Sequence, residues 1–315
     1  MIDKNIRPIS VTSDLKSIAN LLYECFQEAM DEDGERYISY LRRISETPLF
    51  AKIAQRNPEK YSLPGEGFVY KERDKVIGNI TLSLLKAKHE FVYVISNVAV
   101  RPDARGRGIA KALTETALRY IESKGVRETW LQVKNDNQAA LRLYDDFGFE
   151  TFMTRTTWAQ KKANTLFLKE TNTTVHKRKK ADWSTQRDQF AALHPAELTA
   201  SFGFEIASFQ PSLKQFIIDS LHDRIKVHWM DELGEAKGFI SYELIPYQTY
   251  ANLWLAVPQE KSAESHFLRT LIPFANSRLG KEIRVNYPAG RAEESFGVIG
   301  MHPLNTLHWK KRKII

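Results

Sequence analysis

The chain has one cysteine, Cys25, in 315 residues. A single thiol closes no internal disulfide and cannot build a cysteine-rich zinc site. Cys25 falls with Leu15, Ile18, Leu21, Leu22 and Phe26 on a helical stripe, which reads as core packing rather than a reactive thiol. Long apolar runs are missing too, so no segment is long enough to span a bilayer as a helix. The opening residues Met1-Ile2-Asp3-Lys4-Asn5-Ile6-Arg7 lack the apolar core of a signal peptide, and a cytoplasmic protein is expected. The eight histidines show no metal-ligand spacing, and no metal is expected.

Charge of one sign is also not concentrated. The net charge of +8 is shared evenly, with 27 basic against 23 acidic residues in 1–170 and 19 against 15 in 171–315. Two local clusters, His176-Lys177-Arg178-Lys179-Lys180 and Lys310-Lys311-Arg312-Lys313, lack the interleaved aromatics that base stacking needs. They read as a solvated linker and a solvated tail, and no nucleic-acid partner is expected. What remains is an ordinary globular composition, 43% apolar, in a chain long enough that two domains are the better expectation.

The most informative stretch is Val98-Ala99-Val100-Arg101-Pro102-Asp103-Ala104-Arg105-Gly106-Arg107-Gly108-Ile109-Ala110. An apolar strand meets a proline, then a turn alternating Arg and Gly, then helical periodicity with Ile109, Leu113, Ala117 and Ile121 on one face. Gly106 and Gly108 let the backbone approach an anion and aim successive N–H groups at it. The helix start adds its positive dipole end, and Arg105 and Arg107 add charge-assisted hydrogen bonds. This is the layout of a pyrophosphate cradle.

Downstream, Thr129-Trp130-Leu131-Gln132-Val133 reads as a strand, followed by a helix and Phe147-Gly148-Phe149. On that helix Asn137, Ala140 and Tyr144 share a face at steps of three and four. Arg105-Gly106-Arg107-Gly108-Ile109-Ala110, then Asn137, Ala140 and Tyr144, then Gly148-Phe149, in this order, resemble the GNAT superfamily of N-acetyltransferases over roughly residues 1–170.

The resemblance implies an α+β fold, a mixed and mainly antiparallel sheet flanked by helices. It implies acetyl-coenzyme A as co-substrate, with no metal. The pyrophosphate would sit on Arg105, Gly106, Arg107, Gly108, Ile109 and Ala110, and the pantetheine arm along Val98, Ala99 and Val100. That strand would splay from its neighbour after the cradle. Asn137, Ala140 and Tyr144 would complete the donor site, with Tyr144 as the catalytic group at the departing sulfur. The acceptor would be a primary amine of a small molecule or of a protein, attacking directly in a ternary complex.

Strand residues 92–98 carry no carboxylate, unlike many family members with a glutamate base there. Ser96 or Asn97 could bind a relay water or simply serve the strand. Glu28, Asp31, Glu32, Asp33 and Glu35 could attract a cationic amine or form a solvated helix end. A non-catalytic acyl-coenzyme A sensor or scaffold, whose second domain engages a partner, is the alternative.

Beyond a Lys-, Asn- and Thr-rich seam at residues 161–180 the order of elements starts again. The hairpin around Arg73-Asp74 is echoed around Gly234, the strand at 96–102 by 251–258, and residues 140–149 by 292–301. Two tandem GNAT-like domains are expected, at 1–170 and 171–315, in a monomer whose halves act as an internal pseudo-dimer. The second has lost the chemistry. Gln259-Glu260-Lys261-Ser262-Ala263-Glu264 replaces the cradle, Phe296 stands for Tyr144, and Ala289 stands for Asn137.

Overall fold

The computed structural model describes residues 3–30, 32–58, 61–87, 90–161, 174–201, 206–221, 225–245 and 248–314. Its contacts divide the chain into two compact units. The first holds Met1–Val133, Asn137–Thr151 and Lys310–Ile315; the second holds Lys134–Asp136 and Phe152–Trp309. Neither unit is one uninterrupted stretch of sequence.

In the first unit, β1 (Ile6–Pro8) leads into α1 (Val11–Phe26), α2 (Glu32–Ser45) and α3 (Pro48–Gln55). Then follow β2 (Glu66–Glu72), β3 (Lys75–Ala87), β4 (Glu90–Val100), α4 (Ile109–Ser123), β5 (Glu128–Lys134) and α5 (Gln138–Asp146). The strands lie in the order β1-β2-β3-β4-β5. All neighbours are antiparallel except β4 and β5, whose parallel pairing needs the crossover that α4 supplies. The β2–β3 hairpin turns at Arg73 and Asp74, with φ of 46 and 66, the left-handed pair that matches strand twist.

Apolar periodicity sets the two faces. Leu15, Ile18 and Leu22 of α1 pack with Ile38 and Leu41 of α2 over Val69 and Ala99. On the other face Ile109, Leu113, Ala117 and Ile121 of α4 pack over Ile77, Ile80 and Ile95. Each such buried Leu, Ile or Val side chain contributes about 1.5–3 kcal/mol. Gly78 lets α4 sit close, since a Cβ there would lie 2.9 Å from Ile109 Cγ2. Cys25 is at the margin of its layer rather than inside it: it is half-buried, and its Sγ donates to the Val100 carbonyl at 3.3 Å.

Two readings of basic residues change. Lys310 is not in a solvated tail: its side chain is 5% exposed, with Nζ 2.6 Å from Asp145 and 3.1 Å from Thr151. Lys310 belongs to a strand that counts with the first unit from this residue on, and the Ile314 N–H donates to the Arg127 carbonyl. Arg178 is not simply solvated either, because it is partly buried and donates to Gln186 and to the Phe209 carbonyl.

The second unit comprises β6 (Glu150–Gln160) from Phe152 on, β7 (His176–Lys177), α6 (Trp183–Leu193), α7 (Ala196–Ser201), α8 (Leu213–Leu221), β8 (Ile225–Leu233) and β9 (Ala236–Leu244). It continues with β10 (Tyr250–Asn252), β11 (Trp254–Ala256), α9 (Lys261–Leu279), β12 (Glu282–Pro288), α10 (Glu293–Val298) and β13 (His302–Lys313) up to Trp309. One set of strands runs β11-β9-β8-β7 and another β13-β6-β12-β10. The parallel β10/β12 pair repeats β4/β5, the β8–β9 hairpin repeats β2–β3, and Gly238 repeats Gly78, with Phe267 where a Cβ would lie.

Candidate active site

Backbone geometry shapes the glycine turn that the sequence singles out as a candidate anion site. After the short turn Pro102–Ala104, Gly106 and Gly108 adopt φ of 76 and 78, a left-handed conformation that costs other residues about 1–2 kcal/mol. A Cβ at either would meet nothing within 4 Å, so the space in front of the turn is open. Gly108 is the N-cap of α4, and no side chain caps the helix. The first-turn N–H groups therefore face outward with the positive end of the helix dipole.

The arginines are partly engaged. Arg107 makes a two-pronged pair with Glu72, at 2.7 and 3.3 Å, which holds the Glu72 carboxyl below its usual range. Both side chains are exposed, so the pair is weak and exchangeable. Arg105 Nε donates to the Val100 carbonyl at 3.2 Å, and Arg101 turns to Asp103. Val98 and Val100 pack against the core that contains Ala104, Ile109 and Tyr144, while Ala99 faces the α1 layer.

Asn137 serves the fold of α5, which it caps by accepting the Ala140 N–H on Oδ1 at 3.1 Å. Ala140, half-buried, packs against the same core as Tyr144. The Tyr144 ring meets Phe149 edge-on at 5.8 Å, and burial pushes its phenol up to about 12. Among the described residues nothing hydrogen-bonds the Tyr144 hydroxyl. The hydroxyl is not among the fully buried polar atoms that lack a partner, so it is open to water or to a ligand.

β4 and β5 part after a short paired stretch. β4 and β5 pair only at Tyr93–Thr129, Val94–Trp130 and Ile95–Leu131. The splay thus precedes the cradle along the chain rather than following it. Its cause is local: the β3–β4 register shifts between Asn79 and Thr81, and Asn97 takes a φ of 51. An extra residue in one strand bends it. Asn79, fully buried, donates from Nδ2 to the Asn97 carbonyl at 2.8 Å. The Tyr37 phenol approaches the Asn97 side chain, and burial raises it to about 12.

Asn79 and Tyr37 are absent from the residues singled out in the sequence. Asn79 had a signal, a polar residue inside the apolar run 76–82; Tyr37 had none. Of the acidic group, Glu28, Glu32 and Glu35 are exposed, Asp33 pairs with Arg36, and Asp31 lies outside the described residues. Among the described residues no cluster of three His, Cys, Asp or Glu could hold a metal ion.

The corresponding places in the second unit are filled by its own side chains. The Glu260 carboxylate accepts the Ser262 hydroxyl at 2.7 Å and the Ser262 and Ala263 N–H groups at 2.9 and 2.8 Å; these bonds cap α9 and draw its pKa down to about 2. His194 Nε2 donates to the Leu255 carbonyl of β11 at 2.9 Å. Tyr287, Glu264 and Arg291 form a buried chain, and Phe296 stacks on Trp158 at 4.8 Å.

Residues 16–149 match the Acetyltransferase (GNAT) family. Mycothiol acetyltransferase of Rhodococcus jostii (strain RHA1) is 44% identical over 69 residues, and that of Streptomyces coelicolor 37% over 90. These matches span 22% and 28% of this chain and the same shares of the relatives, so about a quarter of each curated relative's length is matched. A GCN5-related N-acetyltransferase from Sphaerobacter thermophilus aligns over 99% of this chain and 97% of its own, with 13% identity and a TM-score of 0.60. A tandem GNAT protein from the clavulanic acid biosynthesis pathway aligns over 98% of each chain, with 12% identity and a TM-score of 0.51. At such identities the likeness speaks for the fold, which is α+β and of tandem GNAT type. No helix among the described residues is long and apolar enough to cross a membrane. The stretch of the chain that matches the GNAT family, residues 16–149, contains both the glycine turn and Tyr144.

Proposed function

We propose that the chain is an acetyl-coenzyme A-dependent N-acetyltransferase that acts on a primary amine and binds one donor per chain, in its first unit. The observation that carries this reading is the contrast between two helix starts. The α4 start has two left-handed glycines, open space and no cap, whereas the α9 start is closed by Glu260.

In this reading the N–H groups of residues 106–110 hold the pyrophosphate, and Arg107 exchanges Glu72 for a phosphate oxygen. The open edge of β4 at Val98 and Val100 takes the pantetheine amides. The acceptor nitrogen attacks the thioester carbon, the C–S bond breaks, and the amine's proton leaves to solvent. Tyr144 donates a hydrogen bond to the departing sulfur. With its phenol at about 12 and a thiol near 8.5, outright proton transfer would be uphill by roughly 5 kcal/mol. Hydrogen bonding without transfer is the role that fits.

The unpartnered Tyr144 hydroxyl favours a transferase over a donor-binding sensor, since a sensor has no sulfur to stabilise. The relatives' names point to acetyl transfer, and the acceptor is proposed no further than a primary amine. Calorimetric titration of the full chain with acetyl-coenzyme A tests the reading. One site per chain is expected, with amine-dependent release of free thiol. Two sites would overturn the assignment of the second unit, and no binding would overturn the cradle.

A further inference from the structure

The amide of Asn79 stands where the fold has no need of one. Val69, Asn79 and Ala99 are register partners across β2, β3 and β4, and Val69 and Ala99 belong to the apolar layer beneath α1. The second unit repeats this row as Met230, Phe239 and Ala256, joined by the same kind of pairing. There the middle position is a phenylalanine, buried with Phe190 and Phe209. The architecture is therefore satisfied by an apolar residue at this point.

Asn79 is fully buried, and its Oδ1 has no hydrogen-bond partner. An unsatisfied buried acceptor costs stability, so the residue is a burden that packing does not account for. Its Nδ2 does have specific work: it donates to the Asn97 carbonyl at 2.8 Å and to Thr81 Oγ1 at 3.3 Å. Asn97 is the left-handed residue of the β4 bulge. In the second unit no residue from 250 to 256 has positive φ, and the strand simply breaks between β10 and β11.

A trans peptide is planar, with its C=O and N–H opposed. No peptide in the described chain is cis. Pinning the Asn97 carbonyl toward Asn79 therefore fixes the Val98 N–H in the opposite direction, away from β3 and toward the side where β4 leaves β5. Resting on the acetyltransferase reading, we propose that Asn79 is a positioning residue: through the Asn97 carbonyl it aims the Val98 N–H at the donor's thioester oxygen. A preorganised main-chain donor of this kind stabilises charge that develops on the carbonyl oxygen during attack.

The test needs no acceptor. Acetyl-coenzyme A labelled with carbon-13 at the thioester carbonyl is bound to the full chain, and its C=O stretch is compared free and bound. The unaltered protein should lower the stretch. Asn79→Val should abolish that lowering while acetyl-coenzyme A affinity stays within threefold and the melting temperature is unchanged or higher. Equal lowering in both proteins overturns the inference, as does a variant that loses donor affinity together with stability. If Asn79→Val does not fold, Asn79→Asp decides. Its neutral carboxyl can still donate to the Asn97 carbonyl, and its carboxylate cannot, so the lowering should fade as pH rises. A pH-independent lowering equal to that of the unaltered protein overturns the inference there too. Failure of the unaltered protein to bind acetyl-coenzyme A would instead remove the acetyltransferase reading itself.

Discussion

Gly108→Asp converts the open helix start of the first unit into the closed one of the second. Position 108 is the N-cap of α4, as Glu260 is the N-cap of α9, and Glu260 already shows a carboxylate occupying first-turn N–H groups. Two effects on stability oppose each other. A side-chain cap gains about 1 kcal/mol, and forcing a non-glycine into a φ of 78 costs about 1–2 kcal/mol. The net should shift the melting temperature by only a few degrees. Donor binding has no such compensation. The new carboxylate takes the N–H groups and stands about 4 Å from a pyrophosphate charge, where repulsion at an effective dielectric near 20 is about 4 kcal/mol. That alone is roughly a thousandfold in affinity. Calorimetry with acetyl-coenzyme A should show the loss, while circular dichroism shows a near-normal melt. Gly108→Ala, with the strain but no charge, should lose far less. Affinity within tenfold of the unaltered protein for Gly108→Asp would refute the anion-site argument.

Three further expectations follow from named contacts. Tyr144→Phe should slow amine-dependent thiol release by about 10–100-fold at unchanged donor affinity and with no loss of stability, because its hydroxyl has no protein partner to lose; unchanged turnover would remove Tyr144 from the chemistry. Glu72→Gln frees Arg107, so acetyl-coenzyme A should bind a few times more tightly and with a steeper salt dependence; weaker binding would mean that the pair orients Arg107 instead of occupying it. Burial holds His194 and His228 near 3, with nearby cations adding to the shift, so both stay neutral in the folded chain while the unfolded chain protonates them below about 6.5. Stability should fall as pH drops from about 6.5 toward 3, by about 1.4 kcal/mol per pH unit for each histidine. His194→Gln should reduce that slope in acid-denaturation curves by about one proton, and an identical slope would contradict it.

The glycine turn before α4 was legible in the sequence because its geometry is local. An anion held by main-chain N–H groups needs residues free to be left-handed and a helix beginning at a fixed offset, and Gly106, Gly108 and Ile109 state both within four positions. The hairpin at Arg73-Asp74 and the α4 stripe were legible for the same reason. The bulge was not, because Asn97 acquires its conformation from pairing with β3, 18 residues earlier, and from the Asn79 amide. Counting charge misjudged Lys310 for a related reason. Its partners Asp145 and Thr151 lie about 160 residues away in sequence, and no composition window connects them. Arg178 was misread likewise, since Gln186 and the Phe209 carbonyl turn a linker charge into an anchor for α6.

Comparing the two units separates what the fold requires from what it merely tolerates. Both keep a glycine where a helix presses on the third strand, and both keep a parallel pair bridged by that helix. These are packing demands and recur regardless of chemistry. The first unit additionally carries an uncapped helix start, an unpartnered Tyr144 hydroxyl and an unsatisfied Asn79 oxygen. At the three matching places the second unit has Glu260 at the cap, Phe296 for Tyr144 and Phe239 for Asn79. Buried polar atoms without a partner occur in the second unit too, at Arg178, Gln189 and Asn276, so the contrast lies in matching positions and not in a count of such atoms. What sets the first unit apart is position: the uncapped start of α4 and the Asn97 carbonyl held by Asn79 lie on either side of the end of β4. The contrast at these matching positions, an open helix start against a capped one and a buried amide against a phenylalanine, is what argues for a ligand at the first unit.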